Sequence, residues 1–140
     1  DDRVGPEKAL IARSGEARRR HLRISALAMG LGDKGVSLLY ERVLRKDRQL
    51  DLWIERCTAQ ISGVLGVLEQ ARADVKAPYW FGESIGHADI AVACVLRFTG
   101  EAHPALFDDR YPALKAHSGR CEALPPFREI VQPLAPPSGD

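Results

Sequence analysis

The chain has 140 residues, 20 basic and 19 acidic side chains and a formal net charge of +1, and 45% of its residues are hydrophobic. This composition is typical of one globular domain, and the near balance of charge gives no electrostatic case for binding nucleic acid or an anionic membrane. No apolar run approaches the roughly 18 residues of a membrane span and no signal peptide is visible, while three cysteines without a CxxC motif are typical of a reduced, cytoplasmic protein.

The first predicted helix runs from Ser14 or Gly15 to about Arg45. Apolar residues recur within it at three- and four-residue spacing, at Ile24, Leu27, Ala28, Leu31, Leu38 and Leu39. Three glycines lie in the same stretch, Gly30, Gly32 and Gly35. Because each glycine costs about 1 kcal/mol relative to alanine inside a helix, they predict a bend, or a close approach by another backbone or a ligand.

A second helix is predicted from near Asp51, whose carboxylate can cap it, to near Ala73, before Ala77 and Pro78. It has the most regular apolar stripe of the chain, formed by Ile54, Cys57, Ile61, Val64, Leu65 and Leu68. The short connection between the first two helices favours an antiparallel pair.

A third helix is predicted from about His87 to Thr99. Val92 and Val95 would also fit a strand, but the length and alanine content of the run favour a helix. Since the segment from Ile85 to Phe98 is apolar almost all round, it is predicted to be the buried central helix.

Two shorter helices are predicted to close the domain. Pro112 suits the first position of the fourth helix because its missing N–H had no partner there, and Pro125 and Pro126 end that helix before one or two last turns from Phe127 to Val131. The predicted fold class is therefore all-α, a five-helix bundle. Residues 14–132 form the domain, after a linker at residues 1–13 and before a frayed, proline-rich tail at residues 133–140.

The start of the third helix carries the most informative motif. With Gly86 as the N-cap, Asp89 is the third helical residue, and its carboxylate can accept a hydrogen bond from the Gly86 N–H as one half of a capping box. Ile85 and Ile90 have the spacing of a hydrophobic staple. Glycine offers no side-chain oxygen for the other half of the box, and Ser84 is a candidate to replace it in part.

This motif resembles the start of the buried helix in the C-terminal domain of bacterial-type glutathione S-transferases. There a loop glycine precedes a cap residue, two spacers, an aspartate and an apolar run, and the cap is usually serine or threonine where this chain has Gly86. Residues 32–42 with 53–56, and residues 111–114 with 124–127, are similar to the paired long helices and the closing helices of the family. The resemblance extends from residue 14 to residue 131.

The resemblance implies that this chain is part of an enzyme that joins the glutathione thiol to small hydrophobic electrophiles. It implies a thioredoxin-like N-terminal domain in the same parent, absent from this sequence, that carries the thiol-activating residue and most contacts to the co-substrate glutathione. No catalytic residue is assigned here, no metal site is expected, and the parent is expected to be a homodimer. The fragment alone is expected to be inactive.

By the same resemblance, the first helix should form the wall for the electrophile. Met29, Asp33, Ser37 and Tyr40 step along one of its faces. Methionine suits an adaptable apolar pocket, and a tyrosine hydroxyl can hydrogen-bond a leaving group. The alternative is that Met29 and Tyr40 belong to the core and that Asp33 is merely solvated.

A different functional class also remains open, in which the domain is a non-catalytic protein-interaction module of the kind appended to translation factors and aminoacyl-tRNA synthetases. The basic cluster of Arg18, Arg19, Arg20 and Arg23 is either a solvated helix face or a partner surface. Cys57, Cys94 and Cys121 are interpreted as small core residues, and the four histidines lie on different elements without zinc-ligand spacing.

Overall fold

The structure, a computed structural model, describes residue 1 and residues 3–136, so the last four residues of the predicted tail lie outside the described part. The described chain forms five α-helices and no β-strand beyond an isolated bridge between Tyr79 and Gly82. The helices are α1 (Gly15–Leu44), α2 (Asp51–Ala73), α3 (His87–Ala102), α4 (Pro112–Glu122) and α5 (Pro125–Ile130). The predicted all-α, five-helix class is confirmed.

The core lies where α1, α2, α3 and α4 meet, with α1 packed against both α2 and α3, and α4 against α2 and α3. It is built mainly from aliphatic side chains, among them Ala28, Leu31, Leu38, Ile61, Leu65, Leu68, Val92, Leu96 and Leu114. The helix α3 is central, as predicted, but one of its faces is uncovered: Cys94 is exposed. The interpretation of Cys94 as a core residue is therefore wrong, whereas Cys57 and Cys121 are buried.

Two of the three glycines in the middle of α1 let α3 approach closely. A Cβ at Gly35 would lie 2.7 Å from Cε1 of Phe98, and one at Gly32 would lie 3.4 Å from Cγ2 of Val95. Gly30, by contrast, faces open space. The close approach predicted from the glycines is thus made by side chains of the neighbouring helix α3.

Side chains from neighbouring helices accept hydrogen bonds from backbone N–H groups at the starts of α2 and α4. Glu69 of α2 accepts hydrogen bonds from the backbone N–H groups of Ala113 and Leu114, both at 2.9 Å, and so caps α4. Glu41 of α1 accepts a hydrogen bond of 2.7 Å from the Leu50 N–H, just before α2 begins. These contacts hold the antiparallel α1–α2 pair and the α4 start in place.

Candidate functional site

The four predicted wall residues lie on the outer side of α1, here called the α1 face. Met29 is 59% exposed and Tyr40 is 50% exposed, and Asp33 is exposed as well. Neither Met29 nor Tyr40 belongs to the core, so the alternative is wrong for these two residues, whereas the exposure of Asp33 fits its alternative as a solvated residue. The Ser37 Oγ donates a hydrogen bond of 2.8 Å to the backbone carbonyl of Asp33, which leaves its oxygen lone pairs free to accept from a ligand.

The α1 face is part of a longer apolar stripe. Three further large hydrophobic residues are exposed on the same side of the helix, at Leu22, Val36 and Leu44. Successive members of the stripe are separated by four or seven residues, which keeps them on one side of a helix. Exposed apolar stripes on folded domains are candidates for binding or association surfaces.

The start of α3 shows why this chain has glycine at the cap position. Asp89 is only 1% exposed, and its Oδ2 accepts a hydrogen bond of 2.8 Å from the Gly86 N–H. A Cβ at Gly86 would lie 2.8 Å from the carbonyl oxygen of Leu10, which accepts a hydrogen bond of 2.9 Å from the His87 N–H. The N-terminal segment therefore occupies the space that a serine or threonine side chain would need, and its carbonyl serves the first helical N–H.

The hydrophobic pair flanking this cap is half-buried at both positions, Ile85 and Ile90, and Ser84 is exposed. His87 lies on the outside of the cap, with its Nε2 3.4 Å from Oδ2 of Asp1. The buried Asp89 carboxylate therefore serves to hold the start of α3.

A buried polar cluster surrounds Asp89, and sequence reasoning missed it. Oδ1 of Asp89 accepts a hydrogen bond of 2.9 Å from the Trp80 N–H and lies 3.7 Å from Nε2 of His117. Arg72 donates hydrogen bonds to the backbone carbonyls of three loop residues, Val75, Ala77 and Pro78. The sequence contains one signal for this cluster: His117 lies one helical turn from Leu114 and Cys121, which places it on the inward side of α4.

Burial favours the neutral forms of His117 and Cys121, the two titratable residues of α4 that lie beside Asp89. It lowers the pKa of His117, although the neighbouring Asp89 carboxylate acts in the opposite direction, and the charge of Arg72 adds to the lowering. A separation of 3.7 Å is too long for a hydrogen bond to Asp89, so burial outweighs the carboxylate and we assign a neutral imidazole. Burial also raises the pKa of the Cys121 thiol to about 11, which leaves Cys121 without thiolate character.

The other histidines hold the fold together. Nε2 of His103, at the end of α3, donates a hydrogen bond of 2.8 Å to the carbonyl of Gly35, which ties α3 to the middle of α1. The His21 ring stacks on Phe81 at a centroid distance of 3.7 Å. Across residues 1 and 3–136, no group of three or more His, Cys, Asp or Glu side chains could hold a metal ion, and no helix is long and apolar enough to cross a bilayer.

A sequence profile of the family "Glutathione S-transferase, C-terminal domain" matches residues 51–120, which is half of the chain. The chain belongs to this family. The profile match runs from the start of α2 into α4 and includes the Gly86–Asp89 cap of the transferase domain.

Solved transferases share the fold over almost the whole domain. A glutathione transferase family member from Pseudomonas fluorescens Pf-5 with bound glutathione is 30% identical, with a TM-score of 0.82, over 95% of this chain and 63% of that one. A glutathione S-transferase from Methylobacillus flagellatus KT with bound glutathione is 26% identical, with a TM-score of 0.82, over 95% of this chain and 65% of that one. A third, from Methylobacterium radiotolerans in complex with glutathione sulfonate, is 24% identical with a TM-score of 0.82 and shows the shared fold.

The transferase domain spans less than two thirds of these solved relatives, 63% of the first and 65% of the second. A search of curated protein sequences finds no match.

Proposed function

We propose that this domain is the electrophile-binding and dimerisation part of a glutathione S-transferase that conjugates the glutathione thiol to electrophilic substrates. Family membership and the glutathione bound by solved relatives support the proposal. A thioredoxin-like domain of the same parent would activate the thiol and hold most of the glutathione. This chain would contribute the surface against which a small hydrophobic electrophile rests while the thiolate attacks its reactive carbon and the leaving group departs.

The observation that carries this proposal is the exposed α1 face. Met29 and Tyr40, at 59% and 50% exposed, put a polarisable thioether and a phenol on an otherwise apolar stripe. The phenol O–H can donate a hydrogen bond to a leaving group that gains negative charge, and such a bond stabilises the transition state more than the ground state. Asp33 and Ser37 would set the polar edge of the electrophile site.

The proposal predicts that Tyr40→Phe in the full-length parent lowers kcat/KM for electrophiles with an anionic leaving group by roughly five- to tenfold, since one hydrogen bond to a charged group is lost. Tyr79→Phe, in the half-buried loop after α2, is the matched control and should leave kcat/KM unchanged. Rates should be compared with at least one aryl halide and one epoxide. A rate for Tyr40→Phe equal to wild type with every electrophile would remove Tyr40 from the site.

We further propose that the parent is a homodimer in the cytoplasm with a role in detoxification. Three free thiols, two of them buried, suit a reducing compartment, and the long apolar stripe of α1 offers area for association. Sedimentation of the full-length parent should give twice the chain mass. An inactive parent in which this domain follows a synthetase or factor domain would instead support the protein-interaction alternative.

A further inference from the structure

The α1 face carries a single charge between Leu22 and Leu44, the exposed carboxylate of Asp33. The other charged residues of this stretch are Arg23, Lys34, Glu41 and Arg42. At about 3.6 residues per turn, each of these four lies at least about 80° from Asp33 around the helix axis. A ligand that rests on the α1 face therefore meets one negative charge near the middle of an otherwise uncharged surface.

No cation of the described chain neutralises Asp33. On a helix, a partner would lie three or four residues away. The residues at those positions are all uncharged: Met29, Gly30, Val36 and Ser37. The adjacent Lys34 is held on the α2 side, where its Nζ lies 5.3 Å from the centre of the Trp53 ring. Asp33 forms no ion pair within residues 1 and 3–136, so its charge is available to a ligand.

The surface around Asp33 suits a positively charged group attached to an apolar ring. On one side of Asp33, Ala26 and Gly30 are small and exposed, and a Cβ at Gly30 would have nothing within 4 Å. On its other side, Met29 and Tyr40 are 59% and 50% exposed and offer apolar contact. The face of a tyrosine ring also attracts a cation. An anionic ligand would be repelled by the carboxylate.

Asp33 and Tyr40 set the length of a fitting electrophile. They are seven residues apart, which is roughly 10 Å along the helix axis. In the proposed function the Tyr40 hydroxyl meets the leaving group, so the positive charge and the leaving group belong at opposite ends of the substrate. A benzene ring with a one-carbon arm at each para position bridges the two side chains.

We propose that the α1 face selects cationic aromatic electrophiles, with an ammonium group at Asp33 and the reactive carbon near Tyr40. This inference rests on the proposed transferase function and adds the substrate class. For a benzyl chloride, the glutathione thiolate sulfur forms a bond to the benzylic carbon, the carbon–chlorine bond breaks and chloride leaves with the electron pair. The ammonium group is unchanged by the reaction, and its attraction to the carboxylate raises kcat/KM.

The test uses the full-length parent and three benzyl chlorides that differ only in the para substituent. These are trimethylammoniomethyl, its uncharged isostere neopentyl, and sulfonatomethyl. Each kcat/KM is divided by the rate of the uncatalysed reaction with glutathione, which removes differences in intrinsic reactivity. We expect the cation to exceed the neutral compound by at least roughly fivefold and the anion to fall below it. Raising the ionic strength should reduce the advantage of the cation.

Asp33→Asn should bring the ratio of cation to neutral compound to within roughly twofold of unity, since the amide keeps the size of the side chain and removes its charge. Asp33→Glu keeps the charge and should keep the advantage. The matched control is Asp47→Asn, which removes the same charge from an exposed position between α1 and α2 and should leave the ratio unchanged. If Asp33→Asn does not fold, the salt dependence of the wild-type ratio decides.

The outcomes separate this inference from the function on which it rests. Equal normalised kcat/KM for all three compounds overturns the inference and leaves the transferase function standing. The same holds if Asp33→Asn keeps the advantage, because the charge selection then comes from elsewhere in the parent. A parent that conjugates none of the three overturns both.

Discussion

Single residues determine how α3 begins, and Asp89 is the most important of them. Its buried carboxylate accepts backbone hydrogen bonds from Gly86 and Trp80, which joins the helix start to the preceding loop. Two buried N–H groups would lose their acceptor if this carboxylate were removed, and neither could be served by water.

We expect Asp89→Ala to lower the free energy of unfolding by about 2 kcal/mol or more, because it leaves two buried donors unpaired. Asp33→Ala, at an exposed position of α1, is the control and should change that free energy by less than about 0.5 kcal/mol. Urea denaturation measures both. Equal stability of Asp89→Ala and wild type would show that the carboxylate does not hold the helix start.

At Gly86 we expect a substitution that often stabilises a helix start to lower the stability of the domain instead. Serine is normally at least as good an N-cap as glycine, but here a Cβ would meet the Leu10 carbonyl oxygen at 2.8 Å. Gly86→Ser should therefore lower the melting temperature by several degrees, equivalent to about 1–3 kcal/mol of overpacking. In a chain that lacks residues 1–12 the same substitution should be neutral or stabilising. A stabilising effect in the intact chain would contradict the steric explanation.

At the scale of elements, the helices of this domain hold one another's ends. α4 begins with Pro112 at its first position and has no side-chain cap of its own. The cap comes instead from Glu69 of α2, which lies 44 residues before Ala113 in the chain. The α1–α3 contact works in the same way, since His103 at the end of α3 bonds to the carbonyl of Gly35.

We expect Glu69→Ala to speed hydrogen exchange at the amides of Ala113 and Leu114 and to lower the free energy of unfolding by about 1–2 kcal/mol, the usual cost of a lost cap. Gln70→Ala, the adjacent exposed residue of α2, should leave exchange in α4 unchanged. Unaltered protection of those two amides in Glu69→Ala would mean that water or another group caps α4.

At the scale of the whole molecule, buried histidines make stability depend on pH. Burial lowers the pKa of His117 and of His103 in the folded state below the ordinary value of 6.5. The unfolded chain therefore takes up protons first as the pH falls below 6.5, and the folded state loses stability from there down to the lowered pKa values. Above pH 6.5 these residues contribute no pH dependence.

The free energy of unfolding should accordingly fall between pH 7 and pH 5. In His117→Asn the decrease over the same range should be smaller, because one titrating group has been removed, although the variant will also be less stable at pH 7. Urea denaturation at several pH values tests this. A profile of wild type that is flat from pH 7 to pH 5 would contradict the neutral, buried state of His117.

Much of the fold follows from the sequence. The apolar period of α2, the proline at the start of α4 and the aspartate three positions after Gly86 are local signals, and local signals determine where helices begin and end. Even so, α3 continues to Ala102 rather than ending at Thr99. The family also followed from the sequence, because the order and spacing of these segments are preserved along the chain.

Five helices, their order and the family could be predicted from the sequence, since each depends on residues within a turn or two of one another. The outward positions of Met29 and Tyr40 and the exposure of Cys94 became visible in the three-dimensional structure. It alone showed that the Leu10 carbonyl takes the place of a capping side chain. These features depend on contacts between residues far apart in the chain, and helical periodicity does not determine which neighbour covers which face.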